Sequence, residues 1–280
     1  MSFRSDKEHM PVYEVFERQD QFKVYADGQY LAAIQQGRFR PYIYPLRTVR
    51  GHVVTQAGPV DHPHHLSIWV AHGDVNGLNF WAPEVLDIAP APRILVRDTS
   101  VDVTARGVTF DQAIEWVVNV DEHLVLFERR RTVVQLWEGH VAVDVSSTLK
   151  APGQPVELGS TKEAGLAVRV ADQIDVLDGG DIRSATGARG EAQTFDTQAD
   201  WVDYSGPITR DQVAGIAVFP YPDVADTPWF TRDYGPIYVG PWRHGAMTLA
   251  PGECFTVAAR FVAHDGGPDE VDINGLFRKF

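Results

Sequence analysis

Hydrophobic and polar residues alternate along most of the chain with a period of two. The clearest run places Val141, Val143 and Val145 on one side and Asp144 and Ser146 on the other. Successive side chains of a β-strand point to opposite faces, so this alternation is typical of a strand with one buried face. The pattern therefore predicts a protein built mainly from β-strands.

Three longer runs precede this one and are separated by short polar breaks such as Arg106-Gly107. Breaks of this kind join antiparallel neighbours, so the four runs predict a meander. The three runs cover residues 93–105, 108–120 and 123–136. Shorter runs predict further strands at residues 13–17, 22–26, 30–34, 66–72, 166–170, 213–219, 237–239 and 255–264.

No segment keeps a helical period, and only residues 269–280 predict a short helix. All-β folds commonly exceed 200 residues in one unit, so residues 1–280 are expected to form a single domain. We predict an all-β fold, a large two-layer antiparallel β-sandwich, with less than about 15% helix.

Two segments interrupt the strand pattern. Residues 40–81 are rich in proline, glycine, histidine and tryptophan, and residues 179–207 are mostly polar. Structured loops on a rigid β scaffold often carry binding and catalytic residues. The two segments are therefore expected to form the functional site.

The chain is acidic, with 25 Lys and Arg against 38 Asp and Glu and a formal net charge of −13. An acidic surface repels phosphate, so nucleic acid and membrane surfaces are not expected as partners. No apolar run is long enough for a membrane helix. A neutral or cationic small molecule is a more compatible partner for this surface, and assembly into a homo-oligomer stays open.

The single cysteine, Cys254, excludes an intrachain disulfide. It begins an alternating apolar run, which predicts a small buried side chain. The polar N-terminus has no apolar leader core, and the two features together indicate a cytoplasmic protein.

Histidines are concentrated in one stretch: five of the ten lie at positions 52, 62, 64, 65 and 72. Pro63 restricts His62 to extended conformations. In an extended chain His62 and His64 point one way and His65 the other. This cluster is the main candidate for chemistry.

Three interpretations of the cluster remain open. Imidazole suits acid/base catalysis near neutral pH. Alternatively, His62, His64 and His72, with Asp61 or Asp74, could bind one divalent metal ion. The third interpretation is a hydrogen-bonded turn in which the histidines are structural.

Further candidates lie outside the cluster. Lys162-Glu163 precedes an apolar strand and offers a proton donor and a base, although such neighbours are often only an exposed ion pair. Aromatic rings beside carboxylates and arginines suit sugar recognition, since pyranose C–H faces stack on rings, but they also occur as an ordinary aromatic rim. The residues of this kind are Trp69, Trp201, Asp203, Tyr204, Trp229 and Arg232.

Several motifs resemble one bacterial family. The segments Pro41–Thr48, Asp61–His65, His72–Gly77, Lys162–Arg169 and Arg232–Gly235 are similar to signatures of the PmoA-like family. The resemblance implies a β-supersandwich similar to that of galactose mutarotases, in proteins often encoded near sugar dehydrogenases. It does not imply methane oxidation, because this chain has no segment that could span a membrane.

We therefore expect a carbohydrate-active enzyme, a lyase or hydrolase acting on a sugar or an oxidised (3-keto) glycoside, with no cofactor. The expected catalytic residues are His64, His65, Lys162 and Glu163. The expected substrate-binding residues are Arg47, Asp61, His62, Trp69, His72, Asp74, Trp201, Asp203, Tyr204, Trp229 and Arg232. One alternative is a non-catalytic sugar-binding or accessory subunit, and another is a metal-dependent oxygenase or hydrolase.

Overall fold

The computed structural model describes residues 10–83 and 91–280. Strands make up 53% of the structure and helices 6%, which confirms the all-β prediction. In chain order the first nine strands are β1 Tyr13–Arg18, β2 Gln21–Ala26, β3 Gln29–Gln35, β4 Tyr42–Leu46, β5 Ile68–His72, β6 Arg93–Thr104, β7 Gly107–Val118, β8 His123–Trp137 and β9 His140–Lys150. The others are β10 Val156–Leu158, β11 Ala164–Arg169, β12 Asp181–Ser184, β13 Val202–Thr209, β14 Gln212–Pro220, β15 Phe230–Thr231, β16 Pro236–Val239, β17 Met247–Leu249 and β18 Cys254–Asp265.

The strands form two large sheets. The first has the order β1-β2-β3-β4-β5-β11-β16-β15, and the second has the order β12-β13-β14-β18-β9-β8-β7-β6. The strand pairs within both sheets are antiparallel, and β10 pairs with β17 separately. The predicted meander is β6 to β9, which lie next to one another in the second sheet.

The first sheet has one face directed toward the second sheet. Ile43, Ile68, Val168 and Ile237 are partners across β4, β5, β11 and β16, and all four are buried in the main core. This core also contains residues of β18, such as Phe261, from the second sheet. The alternation of side chains then places the neighbouring row of the first sheet on its opposite face.

A buried ion pair lies within the second sheet. Glu128 accepts hydrogen bonds from Arg130 Nε, from Ser147 and from the indole of Trp116, at 2.7, 2.7 and 2.8 Å. Arg130 also donates to the carbonyl of Pro41 at 3.2 Å, and so connects the two sheets. Buried charges are tolerated only when they are paired and hydrogen-bonded in this way.

Two local predictions need correction. Residues 179–207 are not a loop, because they contain β12, helix α1 Gly190–Thr194 and the beginning of β13. Cys254 is exposed and not buried, because it is the first residue of β18 and precedes the buried part of that strand. The expected C-terminal helix is present as α2 Ile273–Phe277, capped by Asp272, which accepts from the amide of Gly275.

The ion pair gives a stability prediction. Arg130→Met should lower the free energy of unfolding by about 3–5 kcal/mol, because it leaves the Glu128 carboxylate buried without its cation. Arg131→Met is the matched control, since Arg131 is the next residue on β8 and its side chain is 62% exposed. The control should change stability by less than about 0.5 kcal/mol. Urea unfolding at pH 7 measures the stability of both variants. Equal losses of stability would contradict the assignment of Glu128 and Arg130 as a buried ion pair.

Candidate functional site

The histidine segment forms a tight turn and not an extended chain. The amide of His65 donates to the carbonyl of His62 at 2.9 Å, and the amide of Gly58 donates to the carbonyl of His65 at 2.8 Å. Pro63 occupies the second position of this four-residue turn, where its fixed φ is favourable. The prediction that His65 points away from His62 and His64 is therefore wrong, because the turn gathers all three rings.

The gathered rings form a stack. His62 stacks on Tyr234 at 4.7 Å and on His65 at 4.6 Å between ring centroids. His65 in turn stacks on Trp69 at 5.3 Å, and the ring of His64 meets His65 edge-on at 4.7 Å. The turn is thus fixed by ring contacts as well as by backbone hydrogen bonds.

The stack rests on the face of the first sheet directed away from the second. Trp69 of β5 and Tyr238 of β16 are both register partners of Ala167, so they share one face. His72 is three residues beyond Trp69 and lies on the opposite face, where its ring contacts Trp242 and, through Trp242, Phe255 of β18. The aromatic row under the histidines is therefore outside the interface between the sheets.

Arg169 of β11 links the turn to the sheet. Its guanidinium is buried, and it donates to Asp61 at 3.0 Å and to Asp172 at 3.2 Å. It also lies over the ring of Tyr234, with Cζ 5.2 Å from the centroid. Partial burial would raise the pKa of Asp61, but hydrogen bonds from His62 and Arg169 outweigh it and lower that pKa to about 2. Asp61 is therefore an anchoring anion.

His64 and His65 are neutral at physiological pH. Burial lowers the pKa of His65 to about 2, with neighbouring His64 adding to the effect. Burial and the charge of Arg40 lower the pKa of His64 to about 4. His65 Nε2 shares a hydrogen bond with the hydroxyl of Tyr238 at 3.1 Å. Burial raises the pKa of Tyr238 well above its usual value, so this hydroxyl keeps its proton.

The two ring nitrogens of His64 differ in their burial. Nδ1 is buried and has no partner among the described residues, whereas Nε2 is not among the buried atoms. A neutral imidazole with an accessible nitrogen can accept a proton. His64 is therefore the histidine of the turn best placed to act as a base.

Glu163 approaches the same site and Lys162 does not. Glu163 is half-buried at the start of β11, and its charge contributes to the raised pKa of Tyr238. Its carbonyl accepts from the amide of Gly73 at 2.7 Å, which fixes this corner of the sheet. Lys162 is exposed. Of the predicted pair, the structure thus places the charge of Glu163 near Tyr238.

His72 and Asp74 have structural hydrogen bonds. His72 Nδ1 accepts from the amide of Asp74 at 3.0 Å, and Asp74 accepts from the amide of Gly77 at 2.9 Å. They shape the turn after β5 on the other side of the sheet. The alternative metal set of His62, His64 and His72 is not brought together, and residues 10–83 and 91–280 contain no cluster of three or more His, Cys, Asp or Glu side chains arranged to hold a metal ion.

Trp201 and Asp203 lie on the outer face of the second sheet and do not join the histidines. The indole of Trp201 donates to Asn274 at 3.0 Å, beneath the C-terminal helix. Asp203 is fully buried and pairs with His264 at 2.8 Å. Both line a surface depression of about 500 Å³ with residues of β12 and the C-terminal segment.

The remaining candidates are distributed over both sheets and the segments that join their strands. Tyr204 is buried in the core and donates to the carbonyl of Arg232. Arg47 lies over the ring of Tyr30 at 5.0 Å and contacts none of the histidines. Trp229 is buried and donates to the carbonyl of Ala199 at 2.8 Å. Arg232 is close enough to Tyr238 for its charge to counteract the raised pKa of that phenol.

Buried polar atoms without hydrogen-bond partners are concentrated at this site. Native proteins leave few such atoms, and each one calls for an explanation such as a missing water or ligand. Those near the turn, among the described residues, are His64 Nδ1, His65 Nδ1, Ser67 Oγ, Trp69 Nε1, Trp81 Nε1 and Arg169 Nε. The site therefore has hydrogen-bonding capacity that the protein itself does not use.

Sequence reasoning missed Tyr238, Arg169 and Trp81 as members of the site. Trp81 packs on Trp69 at 5.2 Å and on Tyr238 at 4.9 Å. A signal for Arg169 was present, because a single arginine ends the otherwise apolar run of β11. Nothing in the sequence singled out Tyr238, which is an aromatic residue in a short apolar strand.

A family model described as DUF6807, a family of unknown function, matches residues 21–278. The chain belongs to this family. The description differs from the PmoA-like label that the motifs suggested, and that label stays a prediction. No curated protein matches the chain.

Solved structures with a similar fold share little sequence with this member of DUF6807. A galactose mutarotase-like protein from Lactobacillus casei ATCC 334 is 11% identical, with a TM-score of 0.40, over 90% of this chain and 100% of that one. The Slr1438 protein from Synechocystis sp. PCC 6803 is 12% identical, with a TM-score of 0.35, over 94% and 99%. A galactose mutarotase related enzyme from Lactobacillus acidophilus is 11% identical, with a TM-score of 0.34, over 90% and 97%. These likenesses assign no activity or residue role to this chain.

The described part of the chain contains no helix long and apolar enough to cross a membrane.

The neutral, buried histidines predict how the stability of the fold depends on pH. The unfolded chain binds protons at histidine below pH about 6.5, whereas His65 and His72 stay neutral in the fold until pH about 2 and about 4. The unfolded state therefore binds more protons, and stability should fall as the pH is lowered from 6.5 toward 4. Each of these buried histidines should contribute a slope of up to about 1.4 kcal/mol per pH unit.

Urea unfolding between pH 7.5 and 4.5 measures this slope. His65→Gln should reduce it by about 1.4 kcal/mol per pH unit, since one of the buried groups is lost. His123→Gln, at an exposed position on β8, is the matched control and should leave the slope unchanged. A stability that stays flat across this range would show that the histidines are not held neutral.

Proposed function

We propose that this protein is a carbohydrate-active enzyme that moves protons on an oxidised sugar with His64 as its base. The observation that carries the proposal is the concentration of unused hydrogen-bonding atoms at the aromatic, histidine-lined site. A sugar supplies many hydroxyls at close spacing, so it matches a site with several unused donors and acceptors.

The aromatic rings of the site support the same ligand class. Sugar rings bind through their C–H faces to flat aromatic surfaces while their hydroxyls take polar partners. The stack is partly open to solvent, because the side chain of His62, which stacks on both Tyr234 and His65, is 34% accessible. A pyranose that packs there lies next to His64.

The chemistry we propose is elimination from a 3-keto glycoside. The ketone acidifies the C–H at the adjacent carbon, and His64 Nε2 takes that proton because it is neutral and accessible. The electron pair forms a C=C double bond as the bond to the glycosidic oxygen breaks. That oxygen takes a proton from an acid, for which Glu163 is the candidate, and His65 positions Tyr238 beside the ketone.

A lyase fits these residues better than a hydrolase. Glycoside hydrolases generally need two carboxyl groups on opposite sides of the glycosidic bond. Among the described carboxylates around the turn, Asp61 is engaged by Arg169 and His62, and Asp172 is engaged by Arg169. Glu163, whose charge acts on Tyr238, is the candidate for the single proton donor that is needed when a histidine is the base.

The experiment uses aryl 3-keto-β-glucosides and follows both release of the phenol and deuterium incorporation next to the ketone by NMR in D2O. The wild-type protein should accelerate both processes over the rate without protein. His64→Gln should lower kcat by about 10²–10⁴, as expected for loss of a general base. Tyr238→Phe should lower kcat less, because it removes a hydrogen bond and not the base.

His123→Gln is the matched control, since it removes an exposed histidine outside the site. Its kcat should equal that of the wild type. Binding of the keto-glycoside without exchange or release would contradict catalysis and favour the alternative of a non-catalytic sugar-binding protein. Activity that disappears with a chelator and returns with a divalent ion would contradict the metal-free mechanism.

A further inference from the structure

Two arginines share one aromatic ring beside the candidate site. The guanidinium carbons of Arg232 and Arg243 lie 3.9 and 4.9 Å from the ring centroid of Phe195. Both are also within 6.0 Å of the ring of Phe230. We call these two residues the arginine pair. Two cations at such short range repel each other unless anions lie nearby.

Each arginine has a carboxylate partner from the chain. Arg232 Nη1 donates to Glu191 Oε1 at 3.0 Å, and Arg243 Nη2 donates to Asp196 Oδ1. The same oxygen of Asp196 is 2.7 Å from His244 Nε2. Glu191 is held further by the amide of Asp233, from which it accepts at 3.0 Å. Glu191 is thus fixed in place, whereas Asp196 is attached by a single oxygen.

Two N–H-bearing nitrogens of Arg243 have no hydrogen-bond acceptor among the described residues. Its side chain is only 7% exposed, and both Nε and Nη1 are buried without partners. Besides burial, the charge of Arg232 lowers the pKa of Arg243, so the two cations interact directly. Buried guanidinium N–H groups without acceptors are unfavourable and indicate that an anionic or strongly polar group belongs there.

One ring separates the arginine pair from the histidine site. Phe230 stacks on Tyr238 with centroids 4.3 Å apart and planes 5° apart, and the hydroxyl of Tyr238 is bonded to His65. Phe230 thus contacts both the arginine pair and Tyr238, so the arginine pair adjoins the aromatic row that carries the histidine turn.

Asp196 has the properties of a replaceable partner. Its side chain is 43% exposed, and one of its carboxylate oxygens is shared between Arg243 and His244. If its carboxylate leaves, the edge of Arg243 formed by Nε and Nη2 presents two parallel N–H groups. This edge is the part of a guanidinium that binds a carboxylate or phosphate with two hydrogen bonds.

We propose that the arginine pair binds the anionic group of an acidic sugar, and that Asp196 occupies this position when substrate is absent. The inference rests on the proposed function and narrows its substrate class to sugars bearing a carboxylate or a phosphate. Asp196 then competes with the substrate anion, and Arg243 selects acidic over neutral sugars.

The test compares binding of D-glucuronate, D-glucose 6-phosphate and D-glucose by isothermal titration calorimetry. The wild type should bind at least one of the acids about tenfold or more tightly than glucose, and the preferred acid distinguishes carboxylate from phosphate. Arg243→Gln should abolish the preference, and Arg243→Lys should restore part of it. Asp196→Asn should tighten binding of the preferred acid, because the competing carboxylate is gone.

Asp200→Asn is the matched control, since it removes an exposed negative charge from the same segment. It should leave the preference unchanged, and circular dichroism checks that each variant is folded. The subsite is wrong if glucose binds as tightly as both acids, or if the preference for an acid survives Arg243→Gln. Either result leaves the proposed function unaffected. If none of the three sugars binds, the subsite is contradicted and the proposed function is weakened. The keto-glycoside assay then tests the proposed function separately.

Discussion

The buried guanidinium of Arg169 is the interaction on which the arrangement of the candidate site depends. A cation in the middle of a sheet must be paired, and Arg169 is paired with Asp61 and Asp172 from two different loops. The pairing with Asp61 holds the histidine turn over the aromatic row of β5 and β16. The ring stack, the hydrogen bond between His65 and Tyr238 and the donation from Arg40 to the carbonyl of His64 are further contacts of the turn.

The two faces of the first sheet have different tasks because side chains alternate along each strand. One face carries Ile68 and Val168, and the other carries Trp69, Arg169 and Tyr238. Within residues 10–83 and 91–280, no side chain of the second sheet hydrogen-bonds to or stacks on the three histidines of the turn, although β18 contacts the other face of the first sheet through Phe255 and Trp242. Trp69 and Tyr238 are buried in the main core as well, so the face under the histidines contributes to stability and to the candidate site together.

The proposed chemistry follows from how burial acts on histidine. A buried imidazole loses the solvation of its charged form, so its pKa falls and it stays neutral. His65 is neutral and hydrogen-bonded to Tyr238, and His64 is neutral with an accessible nitrogen. A neutral base beside a protonated phenol is a suitable pair for removing a proton next to a ketone. The arginine pair extends the same site with positive charge, which matters in a chain of net charge −13.

The sequence by itself determined the class of fold and the meander of β6 to β9, and it singled out the Asp61–His65 segment, because alternation and clustering are local properties of the chain. It also contained the signal for a turn, since Pro63 suits its second position. Only the tertiary structure decided that Tyr238 and Arg169 contact the histidine turn and that Trp201 and Asp203 do not. Those outcomes depend on which strands become neighbours and on which face each side chain points to. A shift of one residue in register reverses the face, and nothing local in the sequence fixes it.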